Sequence, residues 1–416
     1  MKILVIVPSF PKTSETFVLN QLAGIVERGH ELQIVSLHRP VSEPVQPTVN
    51  TKNLLERTFY LDVPTNRIKR VQLALRLIWA RLRRGRFDFL AALNPFRFGK
   101  RAIGLEVLCR LRPFIEKPRF DVIHCQFGPA GVFAQEIKDL GFLRDPIITT
   151  FHGYDASAYV KEHGVGIYKN LFSKGDAFTC SSEFMRGRIV EIGCPAKKLV
   201  VFKLGTDLSR IPFRERMRSP EEPVRFLTVA RLVEVKGIEY VIRAVALAKK
   251  IYPKIQYNVI GDGELRQHLT HVVRDLGLEE LIGFEGWHTQ GEITHYYEEA
   301  HIFILASVRS SRGEAEGQGL VLQEAQAAGL PIIATRHGAL PESMLDGKSG
   351  YLVPEKDVDA LAEAIAKMAQ ETASWPELGR TGRSYVEREY DLEIRNDALI
   401  RLYETVAARK PLPAAL

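Results

Sequence analysis

The feature that most constrains this chain is an alternation of short apolar runs, rich in β-branched residues, with amphipathic helical patterns. The first run is residues 3–7, and a helical pattern covers about 14–28. Further runs follow at 32–36, 122–124, 147–150 and 177–180. Strand-like runs separated by helices imply a parallel sheet covered on both faces. Within 209–223 the pattern lapses into the charged, proline-bearing RIPFRERMRSPEEP, which reads as a linker. The alternation then restarts, with strands at 225–230, 256–261, 302–305 and 331–335 and a helix at 237–250. The expected architecture is α/β, with two facing Rossmann-like, doubly wound parallel-sheet domains. The expected boundaries are 1–208 for the first, 224–385 for the second, and 386–416 for a helical segment that packs back on the first. Ligands of such sheets bind beyond the carboxyl ends of the strands, so the functional cleft should lie between the domains.

Composition excludes several classes. Cys109, Cys125, Cys180 and Cys194 are scattered with no CxxC pair, which argues against a disulfide framework or a zinc site. They suit a reducing, cytoplasmic setting. The opening MKILVIVPSF is too short in apolar residues for a secretory signal and reads as a buried strand. No run approaches the ~20 apolar residues of a spanning helix. A nicotinamide dinucleotide site would need GxGxxG after the first strand, where this chain has PSFPKTSET. The lone Gly261-Asp262-Gly263 reads as a tight turn.

Charge is uneven. The chain carries a net +7, yet residues 66–119 hold fifteen Lys or Arg against Asp88, Glu106 and Glu116, a local balance of +12. Ile68, Val71, Leu75, Ile78 and Leu82 recur there at helical spacing, and Arg67, Arg70, Arg76, Arg81, Arg83 and Arg84 occupy much of the remaining surface. Two readings stay open. The stripe packs on the domain core with the arginines solvated, or the helix lies on an anionic membrane face. No motif supports nucleic acid as the partner.

The most informative stretch runs from Ser307 to Glu342. A buried strand ends in a polar loop, and Glu316-Gly317-Gln318-Gly319 opens a helix. Glycines at a helix start let an anion approach backbone N–H groups at the positive end of the helix dipole. Glu324 lies eight residues beyond Glu316, about two turns into that helix, so the two acids can bracket one ligand.

This stretch resembles the signature of the family 4 retaining glycosyltransferases, which have the GT-B fold. Their E-G-x-G-L-x-x-x-E-A segment is matched from Glu316 to Ala325, followed by Ala328, Gly329, Pro331, Gly338, Pro341, Glu342, Asp346, Gly347 and Gly350. Ala339 departs from the usual second glycine. The resemblance implies that Glu324 binds the nucleotide ribose and Glu316 the donor sugar. It also implies that Gly317, Gly319, Leu320 and Val321 offer backbone N–H groups to the diphosphate or sugar. VARLVEVKGIEYVIRA resembles the family's G-R-L-x-x-x-K-G segment, with Ala230 as a small departure. Arg231 and Lys236 there would stabilise the charge gathering on the leaving nucleoside diphosphate.

TTFHGYD resembles the family's N-domain strand end, which implies that His152 contacts the donor sugar with Gly153 and Asp155 beside it. Ser14 and Glu15 belong to an S-E-T-F element similar to that of bacterial exopolysaccharide enzymes of the colanic acid and amylovoran type, and stand where many relatives bind phosphate. Gly286 and Trp287 resemble the loop near the base. No DxD-like motif stands out, so neither metal nor cofactor is expected. The implied activity is transfer of a hexosyl group from a nucleotide sugar, UDP-linked, to a glycan acceptor, undecaprenyl-diphosphate-linked at the cytoplasmic membrane face. The rivals are a sugar-nucleotide epimerase, a phosphorylase and a non-catalytic nucleotide-sugar-binding scaffold. The complete set of Glu316, His152 and Lys236 favours transfer.

Overall fold

The computed structural model describes residues 1–13, 15–40, 46–116 and 118–413, so the expectation for Ser14 lies outside the described residues. Two wholly parallel sheets organise the chain. The first contains β1 (Lys2–Ser9), β2 (Glu31–His38), β3 (Thr58–Tyr60), β4 (Val122–Gln126), β5 (Ile147–Phe151), β6 (Ala177–Cys180) and β7 (Leu199–Val201), in the order β3-β2-β1-β4-β5-β6-β7. The second contains β8 (Val224–Val229), β9 (Ile255–Ile260), β10 (Ile282–Gly286), β11 (Ile302–Leu305), β12 (Ile332–Thr335) and β13 (Gly350–Val353), in the order β10-β9-β8-β11-β12-β13. Each sheet therefore reverses direction beside its first strand, and a crevice opens at that switch point.

Strand β1 shows why the sheet is covered twice. Side chains alternate across a strand. Leu4 and Ile6 join a cluster with Leu77, Val107 and Phe133, while Ile3, Val5 and Val7 join one with Val18, Leu22 and Ile25 on the other face. That second cluster also receives Ala398, Leu399, Leu402 and Tyr403 from the final helix, Leu392–Ala407. The helix follows a bridge between Thr206 and Asp391, and Arg28 fastens it through Glu393 at 2.9 Å and Asp397 at 2.7 Å. Apolar burial on the first sheet thus brings the C-terminal segment back across the molecule. Between the lobes, Arg216 is buried in the irregular connection and donates to the carbonyls of Glu298 and Ala328.

The basic block begins with the helix Arg67–Leu82, whose N-cap Asn66 accepts from the N–H groups of Ile68 and Lys69. Its inner face buries Ala74 and Leu77, with Ile78 packed beside them. Its outer face leaves Ile68 70%, Leu75 58% and Trp79 56% exposed, with Val71 and Leu82 exposed as well. The apolar stripe therefore does not pack on the core, and its fourth member is Trp79 rather than Ile78. A second correction concerns Arg81. It is fully buried, donates to both carboxylate oxygens of Asp88 and to the Ile115 carbonyl at 2.7 Å, and is not a solvated cation. A buried guanidinium persists only when its donors are matched in this way. No described helix is long and apolar enough to cross a membrane.

Candidate functional site

The carboxyl end of β8 runs into Arg231 and then a single turn, Glu234–Lys236. The carboxyl end of β11 runs into Ser307 and Val308, and Val308 N–H bonds the Val235 carbonyl at 2.9 Å. That contact aligns the two strand ends. Lys236 Nζ then meets Glu316 Oε2 at 2.6 Å, and Ser307 Oγ donates to the same oxygen at 3.0 Å. Burial alone would raise the Glu316 pKa, but the Lys236 charge and these bonds hold it below the usual carboxylate range. The pair is ionised and largely enclosed.

The helix that follows is Leu320–Ala327, entered through Gly319 at φ +76°. That dihedral is open chiefly to glycine, and a Cβ there would come within 2.9 Å of Leu340. Among the described residues, no acceptor meets the N–H groups of Gly319, Leu320 or Val321. They are unsatisfied donors at the positive end of a helix. Because the helix starts at Leu320, Glu324 lies about one turn in rather than two. It is not a surface acid either. Burial pushes its pKa up to about 7, only partly offset by the Tyr297 hydroxyl that donates to it at 2.9 Å.

The first lobe supplies His152 from the end of β5. Its ring lies between Phe17 and Phe127, each centroid 4.5 Å away. Its Nε2 bonds Gln126 Oε1 at 2.7 Å, and the Gln126 amide donates to Gln21 Oε1 at 2.8 Å. A carbonyl oxygen can only accept, so His152 carries its proton on Nε2 and presents an unprotonated Nδ1. That Nδ1 is buried without a partner among the described residues. Burial, then the neighbouring His124, push the pKa down to about 3, so the ring is neutral. Phe127 has φ +71°, an uncommon conformation for a bulky residue, at the turn from β4 into the helix Gly128–Asp139.

Several expected site residues sit elsewhere. Asp155 is fully buried, and its carboxylate accepts from the N–H groups of Gly128, His152 and Gly153, each at 2.9 Å. It shapes the turn that carries His152 and does not face the cleft; Gly153 has likewise already donated its N–H. Glu15 is ion-paired with Lys12 at 2.9 Å, so the S-E-T-F element reaches the site through Phe17. Arg231 is exposed and unpaired among the described residues. Gly286 and exposed Trp287 lie at the end of β10, the edge strand, three positions from β11.

The sequence reading missed the contacts that bring the lobes together. Ser181 and Ser182 hydroxyls donate to the Gly317 carbonyl at 2.8 and 2.9 Å. Glu342 accepts from the N–H groups of Glu183 and Phe184, both at 2.8 Å, and so caps a helix of the opposite lobe. Gln318 pairs with both backbone groups of Leu204 at 2.9 Å. Their local signal was present only as polar residues at strand ends.

A loop of free N–H donors and a lysine–glutamate pair, with the His152 backbone close to Gly317 across the cleft, suit an anionic ligand carrying a polar, hydroxyl-rich group. The comparisons with known proteins agree. The model for glycosyl transferases group 1 matches residues 209–384, and that for glycosyltransferase family 4 matches 89–210. WcaL of Escherichia coli K12, whose name places it in colanic acid biosynthesis, is 33% identical over 98% of this chain and 100% of its own length. The chain belongs to glycosyltransferase family 4. AmsK of Erwinia amylovora, an amylovoran biosynthesis glycosyltransferase, is 30% identical over 98% of this chain and all of its own. Among solved structures, Anabaena HepE in complex with UDP superposes with a TM-score of 0.71 at 16% identity, over 97% of this chain and 100% of that one. Sucrose-phosphate synthase from Thermosynechococcus elongatus gives 0.73 at 18%, over 98% and 100%. Both likenesses establish the GT-B fold for this family member.

Proposed function

We propose that this family 4 glycosyltransferase moves a hexosyl group from a UDP-linked sugar to a glycan acceptor in exopolysaccharide assembly. The reaction retains anomeric configuration and needs no metal. The observation that carries this reading is the Lys236–Glu316 pair beside the free N–H groups of Gly319 to Val321, opposite neutral His152. In the proposed complex the diphosphate lies on those N–H groups, with Lys236 and Arg231 balancing the charge released as the glycosidic bond breaks. Glu316 accepts from donor-sugar hydroxyls, Glu324 from the ribose diol, and His152 Nδ1 from a sugar hydroxyl. Gly286 and Trp287 border the base. The exopolysaccharide assignment is supported by full-length similarity to WcaL and AmsK, and the UDP assignment by HepE, whose structures hold UDP and UDP-glucose.

The acceptor is undecaprenyl-diphosphate-linked, and the enzyme works as a peripheral protein on the cytoplasmic membrane face. The exposed outer stripe of the helix Arg67–Leu82, flanked by arginines, supports this placement. The domain boundaries expected above are kept as part of the same reading. The test incubates the protein with a panel of nucleotide sugars and a lipid-linked acceptor, and follows the first product by proton NMR. An axial donor should give an axial linkage. An inverted anomeric centre, an epimerised free nucleotide sugar, or no turnover with any donor would each reject the proposal.

A further inference from the structure

A second basic feature lies away from the cleft. Glu116, Pro118 and Arg119 precede β4, and Phe142 and Arg144 precede β5, so they sit at the amino ends of the strands, opposite His152. With Arg86 and Phe87 they line an open cavity of about 510 Å³ at the foot of the helix Arg67–Leu82.

The charge of this cavity follows from its ion pairs. Two acids line it, Asp88 and Glu116, and each is already engaged by an arginine outside the lining: Asp88 by buried Arg81, Glu116 by Arg84. Of the three lining arginines, Arg119 shares Asp145 through Nε at 2.9 Å, and its two terminal nitrogens have no partner among the described residues. Arg86 and Arg144 are exposed and make no ion pair with any described residue. The basin therefore carries a net positive charge in a concave wall. Guanidinium groups match the oxygens of a phosphate monoester or diester.

Phe87, 61% exposed, lines this basin and follows closely in the chain on the exposed Trp79 and Leu82 of the apolar stripe. Arg83 stacks on Trp79 at 3.6 Å, which places another cation on the same face. An apolar face leading into a cationic cavity has the layout of a surface that enters a bilayer interface and meets headgroup phosphate.

We infer that this basin, formed by Arg86, Arg119 and Arg144 beside the helix Arg67–Leu82, binds the phosphate of an anionic lipid headgroup and holds the enzyme on the membrane. The inference rests on the proposed membrane placement and names the site and the ligand chemistry. It is independent of which sugar is transferred.

The experiment uses the full chain and co-sedimentation with vesicles of phosphatidylcholine alone or with phosphatidylglycerol. The variant is Arg86→Ser/Arg144→Ser, and the control Lys197→Ser/Lys250→Ser removes the same charge at exposed sites elsewhere. The basin variant should lose about tenfold or more of its affinity for anionic vesicles, on the order expected for two basic residues at such a surface, and the control much less. Slow donor hydrolysis should be unchanged in both variants. Inorganic phosphate is added in a separate arm. Equal losses in the two variants would reduce the basin to bulk charge and overturn the inference. So would vesicle binding that survives in the basin variant, or tight binding of inorganic phosphate that leaves vesicle binding unaffected. If vesicle binding behaves as inferred but no glycan product forms with any donor, the transferase reading fails and the basin stands.

Discussion

The surroundings of Glu316 in the second lobe and the outer face of the first lobe partner their side chains in opposite ways. Around Glu316, charged groups are enclosed and matched: Lys236 and Ser307 share one carboxylate oxygen, and Tyr297 engages Glu324. Among the described residues, its unmatched groups include the N–H donors of Gly319, Leu320 and Val321 and, across the cleft, His152 Nδ1. On the outer face the unmatched groups are large apolar side chains, from Ile68 to Trp79, with arginines Arg86 and Arg144 beyond them. The first region suits a small polar anion, because the free N–H groups of Gly319, Leu320 and Val321 are held in place at a helix start. The apolar part of the second has no directional demand and fits an extended surface, with directional donors only at the arginines beyond it.

The sharpest break in this comparison comes from the donor side. Lys236→Ala and Glu316→Ala should each lower kcat by about 10²–10³ while circular dichroism stays native, since one electrostatic group at developing charge is removed. Near-normal turnover in both would show that the enclosed pair is structural.

The next contrast lies within the basic block. Arg81→Ser removes the buried guanidinium that donates to Asp88 and to the Ile115 carbonyl, and should cost roughly 2–3 kcal/mol in urea unfolding, because those charge-assisted hydrogen bonds are lost. Leu75→Ser/Trp79→Ser, on the opposite side of the same helix, should leave the unfolding midpoint almost unchanged. It should weaken vesicle binding by about tenfold, since those side chains are already exposed. Similar unfolding curves for the two variants would mean that the helix has no inner and outer face.

The smallest effect sharpens the donor side. Glu324 binds its proton up to about pH 7 and is ionised above it. A carboxylate accepts from a diol better than a carboxylic acid does, so the donor KM should fall severalfold as pH rises from about 6 to 8. Glu324→Gln should flatten that limb. The same shift has a stability consequence. The folded state holds a proton that the unfolded chain releases near its ordinary value of 4.5, so Glu324 costs stability progressively as pH climbs from there to about 7.

Legibility followed burial. The central strands β1, β4, β8, β11 and β12 were read from their apolar runs, because both faces are covered. The four unrecognised strands, β3, β7, β10 and β13, are the four sheet edges; partly exposed residues interrupt β3, β10 and β13, and β7 is an apolar run of only three residues. Glu316, Glu324, Lys236 and His152 were proposed as site residues from three linear motifs. Gln126 and Phe17 were not, because they hold His152 from separate strand and helix ends. Asp155 was misplaced for the complementary reason. A polar residue three positions after His152 looks like a site acid until its backbone donors are seen.

The sequence alone determined two doubly wound sheets, the family, and the candidate pair Lys236 and Glu316 that the structure brings together. These depend on local periodicity and on contacts between residues close in the chain. Only the tertiary structure decided which face of the helix Arg67–Leu82 stays bare, that Arg81 is buried while Arg86 is free, and that His152 is neutral. Each of those depends on which distant groups share a low-dielectric space. Helical spacing marks an apolar face but not what lies against it, and a side chain's charge is set by its neighbours rather than by its type.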